Sequence, residues 1–244
     1  MTVAEFSNEF DLLYNLMSNT APAIDEYEKS VFLTNAQEEI VKNYFNAQGN
    51  KYKEGFDDSI KRHSDFSSLV STAVYPNGTI TKLPSGLSVD DRSYFLLLPS
   101  NTFFILNETA VILEGSKQII TQVVPLKHDE YYRLMSKPYK EPAKYQSWRL
   151  FSVENNRKQI ELIIKSGSIL SKYLIRYIKK PEPIILVNLT SEYNGATIEG
   201  ITTAQTCKLD STIHREILKR AVELAKSTYL GDLNSTIELN TRSE

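Results

Sequence analysis

The sequence predicts an α+β fold: a helical body formed by N-terminal helices and a long C-terminal helix, with a β-rich region inserted between them. Three observations carry this reading. Apolar residues recur at three- and four-residue steps up to about residue 70 and again after about residue 210. Between those limits they alternate at two-residue steps, as half-buried strands do. Asn-Gly turn signals, at Asn77-Gly78 and Asn194-Gly195, stand only in the middle stretch. The resulting division is 1–72 for the N-terminal helical part and 73–205 for the inserted β-rich region. Residues 206–231 form the C-terminal helix, packing on the N-terminal helices, and 232–244 a tail.

Taken in order, the first helix carries Val3, Phe6, Phe10, Leu13 and Met17 on one face. Thr2 and Glu5 have the spacing of a capping box, in which the hydroxyl accepts from a free amide while the carboxylate reaches back. Ala21-Pro-Ala-Ile-Asp25 breaks the pattern. Thr34 with Gln37 is the capping pair expected to open a second helix, which Gly49 ends. A charged third helix is expected from about Lys53 to Val70, with Phe56, Ile60 and Leu69 as its apolar side.

Strand-like runs follow at Tyr94–Leu98, Thr102–Leu106, Ala110–Leu113, Gln118–Val124, Trp148–Val153, Gln159–Lys165 and Tyr173–Lys179. A short helix is expected over His128–Met135. Pro181 and Pro183 cannot donate to a ladder and stop pairing, with one more strand at Ile184–Leu186. The last helix is capped by Asp210 or Ser211. Its stripe runs Ile213, Ile217, Leu224 and Thr228, with Leu218, Val222, Ala225 and Tyr229 beside it, and Gly231 stands at the C′ position. This helix is expected to pack on the first.

Composition narrows the function. Apolar residues at 41% and charged residues at 24% suit a globular protein rather than a disordered one. A net charge of −2 and a pI near 6.0 argue against a dedicated nucleic-acid binder, which needs a basic excess to neutralise phosphates. Cys207 is the only cysteine, so neither an internal disulfide nor a cysteine-based zinc site is expected, in keeping with a reducing cytosol. No signal peptide and no membrane-spanning run is expected, since no apolar stretch approaches the roughly 18–20 residues a span needs.

Catalytic motifs are missing: no phosphate-cradling Gly-x-x-x-x-Gly-Lys, no nucleophile elbow and no His-Glu-x-x-His. The three histidines are His63, His128 and His214, and two of them stand in His-x-Glu triplets with Glu130 and Glu216. A deaminase would add Pro-Cys-x-x-Cys to such a triplet, which one cysteine cannot supply. His214 is expected to serve as neutral packing or an interface hydrogen bond. The carboxylate pairs Asp57-Asp58, Asp90-Asp91 and Asp129-Glu130 do not share a face when helical and read as solvated surface. Glu154 and Glu161 lie on strands with nothing to fix their geometry. Between Ser136 and Leu150, the basic residues Lys137, Lys140, Lys144 and Arg149 interleave with Tyr139, Tyr145 and Trp148. Such a segment fits a stiff loop packed on the sheet, a protein contact or a nucleic-acid contact.

The run Arg176-Tyr-Ile-Lys-Lys-Pro181, then Cys207-Lys-Leu-Asp210 and His214-Arg-Glu-Ile-Leu-Lys-Arg-Ala-Val-Glu-Leu-Ala-Lys226, resembles the head–tail connector (adaptor, or ring) proteins of crAss-like bacteriophages. Phe10-Asp-Leu-Leu-Tyr14, the stretch Asp25–Ile40, and Pro138-Tyr139 leading to Trp148-Arg149-Leu150 are similar to the same family, so the likeness runs the length of the chain. The resemblance implies a structural virion protein without catalytic residues, metal or cofactor, assembled in the bacterial host cytoplasm. It further implies that about a dozen copies form a ring in the neck, joining the portal protein to further neck or tail proteins while double-stranded DNA passes through. No membrane partner is implied. Another neck or tail-hub component, a carboxylate-dependent hydrolase and a nucleic-acid-binding regulator are the alternatives. In the tail, Ile237 and Leu239 flank Glu238 with the alternation of an extended strand, and they are the residues expected to dock on a partner's sheet edge.

Overall fold

The computed structural model of the chain describes residues 1–16, 23–45, 60–76, 92–135 and 141–229. The chain forms two compact units: Met1–Leu69 with Pro181–Glu244, and Val70–Lys180 between them.

In the first unit, α1 (Val3–Leu16) begins as its cap dictates. The Glu5 amide donates to Thr2 Oγ1 (3.2 Å) and the Thr2 amide to Glu5 Oε2 (2.7 Å). Phe6, Phe10 and Tyr14, four residues apart, form its buried stripe. Helix α2 (Glu26–Phe45) starts well before Thr34, because the working capping box is Asp25 with Glu28. Thr34 and Gln37 instead lie mid-helix and buried, where with Ser30 they hold an extended strap. The Leu186 amide donates to Ser30 Oγ (3.0 Å) and the Ile184 amide to Thr34 Oγ1 (3.1 Å). Gln37 Nε2 donates to the Glu182 carbonyl (2.8 Å). The expected strand at Ile184–Leu186 is therefore not part of the sheet. Its backbone is satisfied by helix side chains and by a single bridge from Ile185 to Gln205.

The third expected helix appears as α3 (Ile60–Phe66) followed by a 3₁₀ turn at Ser67–Leu69; Phe56 lies outside the described residues. Helix α5 (Leu189–Glu192) is a single turn capped by Asn188. Asn194 and Gly195, both at positive φ, close that turn rather than a hairpin, with the Gly195 amide donating to the Leu189 carbonyl (3.2 Å). Helix α6 (His214–Tyr229) buries Ile217, Leu218, Ala221, Val222 and Ala225, while Thr228 and Tyr229 at the end of the expected stripe are exposed. Asp210 Oδ1 accepts from the Thr212 amide (2.9 Å) ahead of it. Arg220 holds Glu39 of α2 with two nitrogens, and the Phe6 and His214 rings lie 5.4 Å apart.

The second unit is a seven-stranded mixed sheet curled into a half-barrel, in the order β1-β7-β3-β4-β5-β6-β2. The strands are β1 (Val70–Pro76), β2 (Ser93–Leu97), β3 (Thr102–Glu114), β4 (Lys117–Pro125), β5 (Gln146–Glu154), β6 (Arg157–Ile163) and β7 (Ile169–Lys179). All neighbours are antiparallel except β4 and β5, which run parallel and are joined across α4 (His128–Met135). Gly115, at positive φ, and Ser116 make the tight turn from β3 to β4. Asn155 and Asn156, both at positive φ, turn β5 into β6, as a two-residue hairpin of opposite hand requires. The concave face is apolar: Tyr94, Leu96, Ile112, Ile160, Leu162, Tyr173 and Ile175 pack together, with Ala73 and Tyr75 of β1 against them.

The expectation of a helical body with a long C-terminal helix is overturned. The architecture is rich in sheet, and the six helices among the described residues are small. Helix α6 has 16 residues, about 24 Å at 1.5 Å per residue. Two physical causes explain the difference. The apolar stripe outruns the last buried turn of α6, and polar residues interrupt the apolar alternation of strands that are continuous. Thr102–Leu106 and Ala110–Leu113 are one 13-residue strand, β3, because Glu108 in the interruption faces inward and finds partners there.

Candidate assembly surfaces

Glu108 is the centre of a buried polar cluster on the concave face. Tyr173 of β7 donates its hydroxyl to Glu108, and Arg149 of β5 reaches across β4 to pair with it. Burial raises the Glu108 pKa, against the lowering effects of Tyr173 and Arg149. Burial, helped by Glu108, pushes the Tyr173 hydroxyl up so that it stays protonated and donates. Beside them Thr121 donates to the Ala110 carbonyl (3.1 Å) and accepts from Ser147 (2.7 Å), which ties β4 to β5 at the parallel seam. The cluster is closed from solvent, with Glu108 8% and Arg149 9% exposed, so its role is to fix strands rather than to meet a ligand.

That placement decides two residues of the basic and aromatic segment. Arg149 is spent in the ion pair and lies 4.1 Å from the Phe151 ring, while Trp148 packs with Tyr131 of α4 and Leu150. Lys144 and Tyr145 remain exposed; residues 136–140 lie outside the described residues. Trp148 and Arg149 are thus packed on the sheet, and the two exposed residues leave the remainder of the segment open to a contact.

The other candidates do not converge. Glu154 lies opposite Arg157, and Glu161 opposite Leu150, so the two strand carboxylates do not face each other. Asp57-Asp58, Asp90-Asp91, Ile237 and Leu239 fall outside the described residues. No cluster of three His, Cys, Asp or Glu able to hold a metal occurs among the described residues, and no described helix is long and apolar enough to cross a membrane. Cys207 is buried, and burial pushes its thiol up to about 11, leaving it unreactive at neutral pH.

The His214–Glu216 triplet diverges. His214 Nε2 donates to the Leu209 carbonyl (3.0 Å), whereas Glu216 accepts from Tyr44 (3.0 Å) and Lys61 (3.4 Å). Burial lowers the His214 pKa below its ordinary value. The unfolded chain then binds the proton more tightly, so stability present above about pH 6.5 is lost as pH falls below that value. Thermal melts from pH 7.5 to 5.5 are expected to show a falling midpoint, and His214→Gln to flatten the decline. An unchanged slope in the variant would assign the effect to another group.

Among the described residues, one sheet face combines exposed apolar side chains with aligned register. On the convex side α4 covers β5 and β6 through Trp148, Leu150 and Ile163. Within the same unit, Val124 at the end of β4 also packs on the α4 cluster, whereas no described helix of that unit packs on the middle of β1, β7 and β3. The register aligns Val74, Leu174 and Thr109 in one row, and Pro76, Lys172, Val111 and Ile120 in the next. Val74, Ile120 and Ile169 there are 49%, 68% and 55% exposed, more than scattered surface apolars account for when they share one face. Nothing in the sequence flagged this face, because each residue reads as an ordinary strand position until the register brings them together.

The comparisons agree with the resemblance read from the residues. The family model for phage tail ring protein 3/4 matches residues 1–236. The chain is 50% identical to ring protein 4/5 of Bacteroides phage crAss001, over the full length of both. It is 37% identical to ring protein 3 of the same phage, over 92% of this chain and 95% of that one. Neither name states a reaction.

Proposed function

The chain belongs to the phage tail ring protein 3/4 family, and from that membership we propose that it is a non-enzymatic subunit of a head–tail connector ring. The observation that carries this reading is the family match across nearly the whole chain, joined to full-length identity with a ring protein. In this reading about twelve copies close a ring in the neck of the virion, around the path of the DNA, with the portal protein and further neck or tail proteins above and below. The closed polar cluster supports a structural role, since Glu108, Arg149 and Tyr173 are spent on one another inside the sheet. Two homologous ring proteins in one phage, at 50% and 37% identity to this chain, support a stack in which a related ring is also a neighbour. A heterologous interface suits such a ring, because head-to-tail contacts close when their rotation divides a full turn.

The tail after Gly231 is proposed as the docking strand, with Ile237 and Leu239 as its two side-chain anchors and main-chain bonds to a partner's sheet edge supplying the rest. Negative-stain images of the purified chain, alone and with portal-bearing capsids, are expected to show rings free or on the capsid vertex. Deletion of residues 232–244 is expected to leave subunits that melt normally yet fail to join capsids. Normal joining by the truncated chain removes the docking strand, and a chain that never forms rings removes the connector.

A further inference from the structure

The overall charge of −2 conceals a division between the two units. Residues 70–180 hold 16 Lys and Arg against nine Asp and Glu, a net of +7, whereas the remaining residues hold 12 against 21, a net of −9. Segregation of this size gives one copy a positive unit and a negative unit, so that two copies attract when unlike units meet.

The convex face with exposed Val74, Ile120 and Ile169 lies in the positive unit. Lys172 and Arg176, on the same side of β7, are its exposed charges, and among the described residues the register places no carboxylate beside them. Around them stand Val74, Ile120 and Ile169. Phosphate groups would gain from the two cations but leave these apolar side chains against charge and water. A protein surface that is acidic and partly apolar satisfies both. The helical unit has that character: Glu5, Glu9 and Leu12 share one stripe of α1, and Leu12 is 60% exposed.

We propose that the convex face of β1, β7, β3 and β4 docks on the acidic helical unit of a second copy of this chain. The two surfaces differ, so the contact is heterologous, repeats around a ring and leaves no copy with an unused face. This inference rests on the ring reading and names the surfaces that close the ring.

The test uses full-length chain, mixed as equal parts unlabelled and ¹⁵N-labelled protein, with a carbodiimide that joins amines directly to carboxylates. Mixed-isotope links from Lys172 to carboxylates in residues 1–69 or 181–244 are expected. Self-association read by sedimentation velocity should weaken as salt rises from about 50 to about 500 mM. Lys172→Glu with Arg176→Glu should weaken it at least tenfold with the melting temperature unchanged, since both side chains are exposed. Rings that form without those mixed-isotope links overturn the interface and leave the ring reading standing. Protection of Lys172 by duplex DNA in place of a second copy also overturns it. A chain that stays monomeric alone and with portal-bearing capsids removes both readings.

Discussion

Replacing Arg149 by methionine is expected to lower the unfolding free energy by about 3–5 kcal/mol at neutral pH, because it leaves the Glu108 carboxylate buried without its cation. Methionine retains most of the side-chain length, so the loss reflects charge more than volume. The deficit should shrink as pH falls. Burial raises the Glu108 pKa in the folded chain, so the folded state takes up a proton more readily than the unfolded one. Below that raised value the carboxyl is neutral, and its burial no longer costs the desolvation of a charge. Glu108→Gln in the Arg149→Met background should recover most of the loss at pH 7.5, since an amide still accepts from Tyr173. Urea titrations of the single and double variants at pH 7.5 and 5 decide the matter. Equal losses in both would mean that Arg149 acts through packing on Phe151 and not through Glu108.

Phe6→Ala should cost about 3–5 kcal/mol, the usual loss for deleting a fully buried ring. Phe6 is 0% exposed and lies against His214, at the junction of α1 with α6. Leu12→Ala, on the same helix but exposed, should change stability by no more than about 0.5 kcal/mol. Hydrogen exchange should locate the Phe6→Ala loss in α1 and α6. Similar stabilities for the two variants would show that α1 is held by its cap and its Lys29 ion pair with Asp11 rather than by its aromatic stripe.

The same contrast shows which features were legible in the sequence. The cap of α1 was readable because Thr2 and Glu5 satisfy each other locally. The family was readable because its marks are short runs of sequence needing no knowledge of the third dimension. Thr34 and Gln37 misled because a capping pair and a buried polar stripe look alike until the strap they hold is known. Glu108 misled in the opposite sense, since a carboxylate inside a strand reads as a break unless Arg149 and Tyr173, 41 and 65 residues away, are seen to reach it. The Asn155-Asn156 turn was available in principle, because asparagine tolerates positive φ, but two Asn without glycine make a weaker signal than Asn-Gly. The convex face was hidden for the same reason as Glu108. Register is a long-range property, and so is the segregation of charge that balanced totals concealed.

The pairing of β1 with β7 bears on the order of events at the ribosome. Strand β7 lies between β1 and β3, so the sheet stays open until residues 169–179 have left the exit tunnel. The helical unit waits longer still, since the strap on α2 and all of α6 follow Pro181. At about 5–20 residues per second, some 5–20 s of translation separates the end of β1 from the end of β7. Neither of the two surfaces proposed to dock is complete on a nascent chain during that interval. If the proposed interface closes the ring, growing chains on neighbouring polysomes would not lock into partial rings before residues 169–229 have been made.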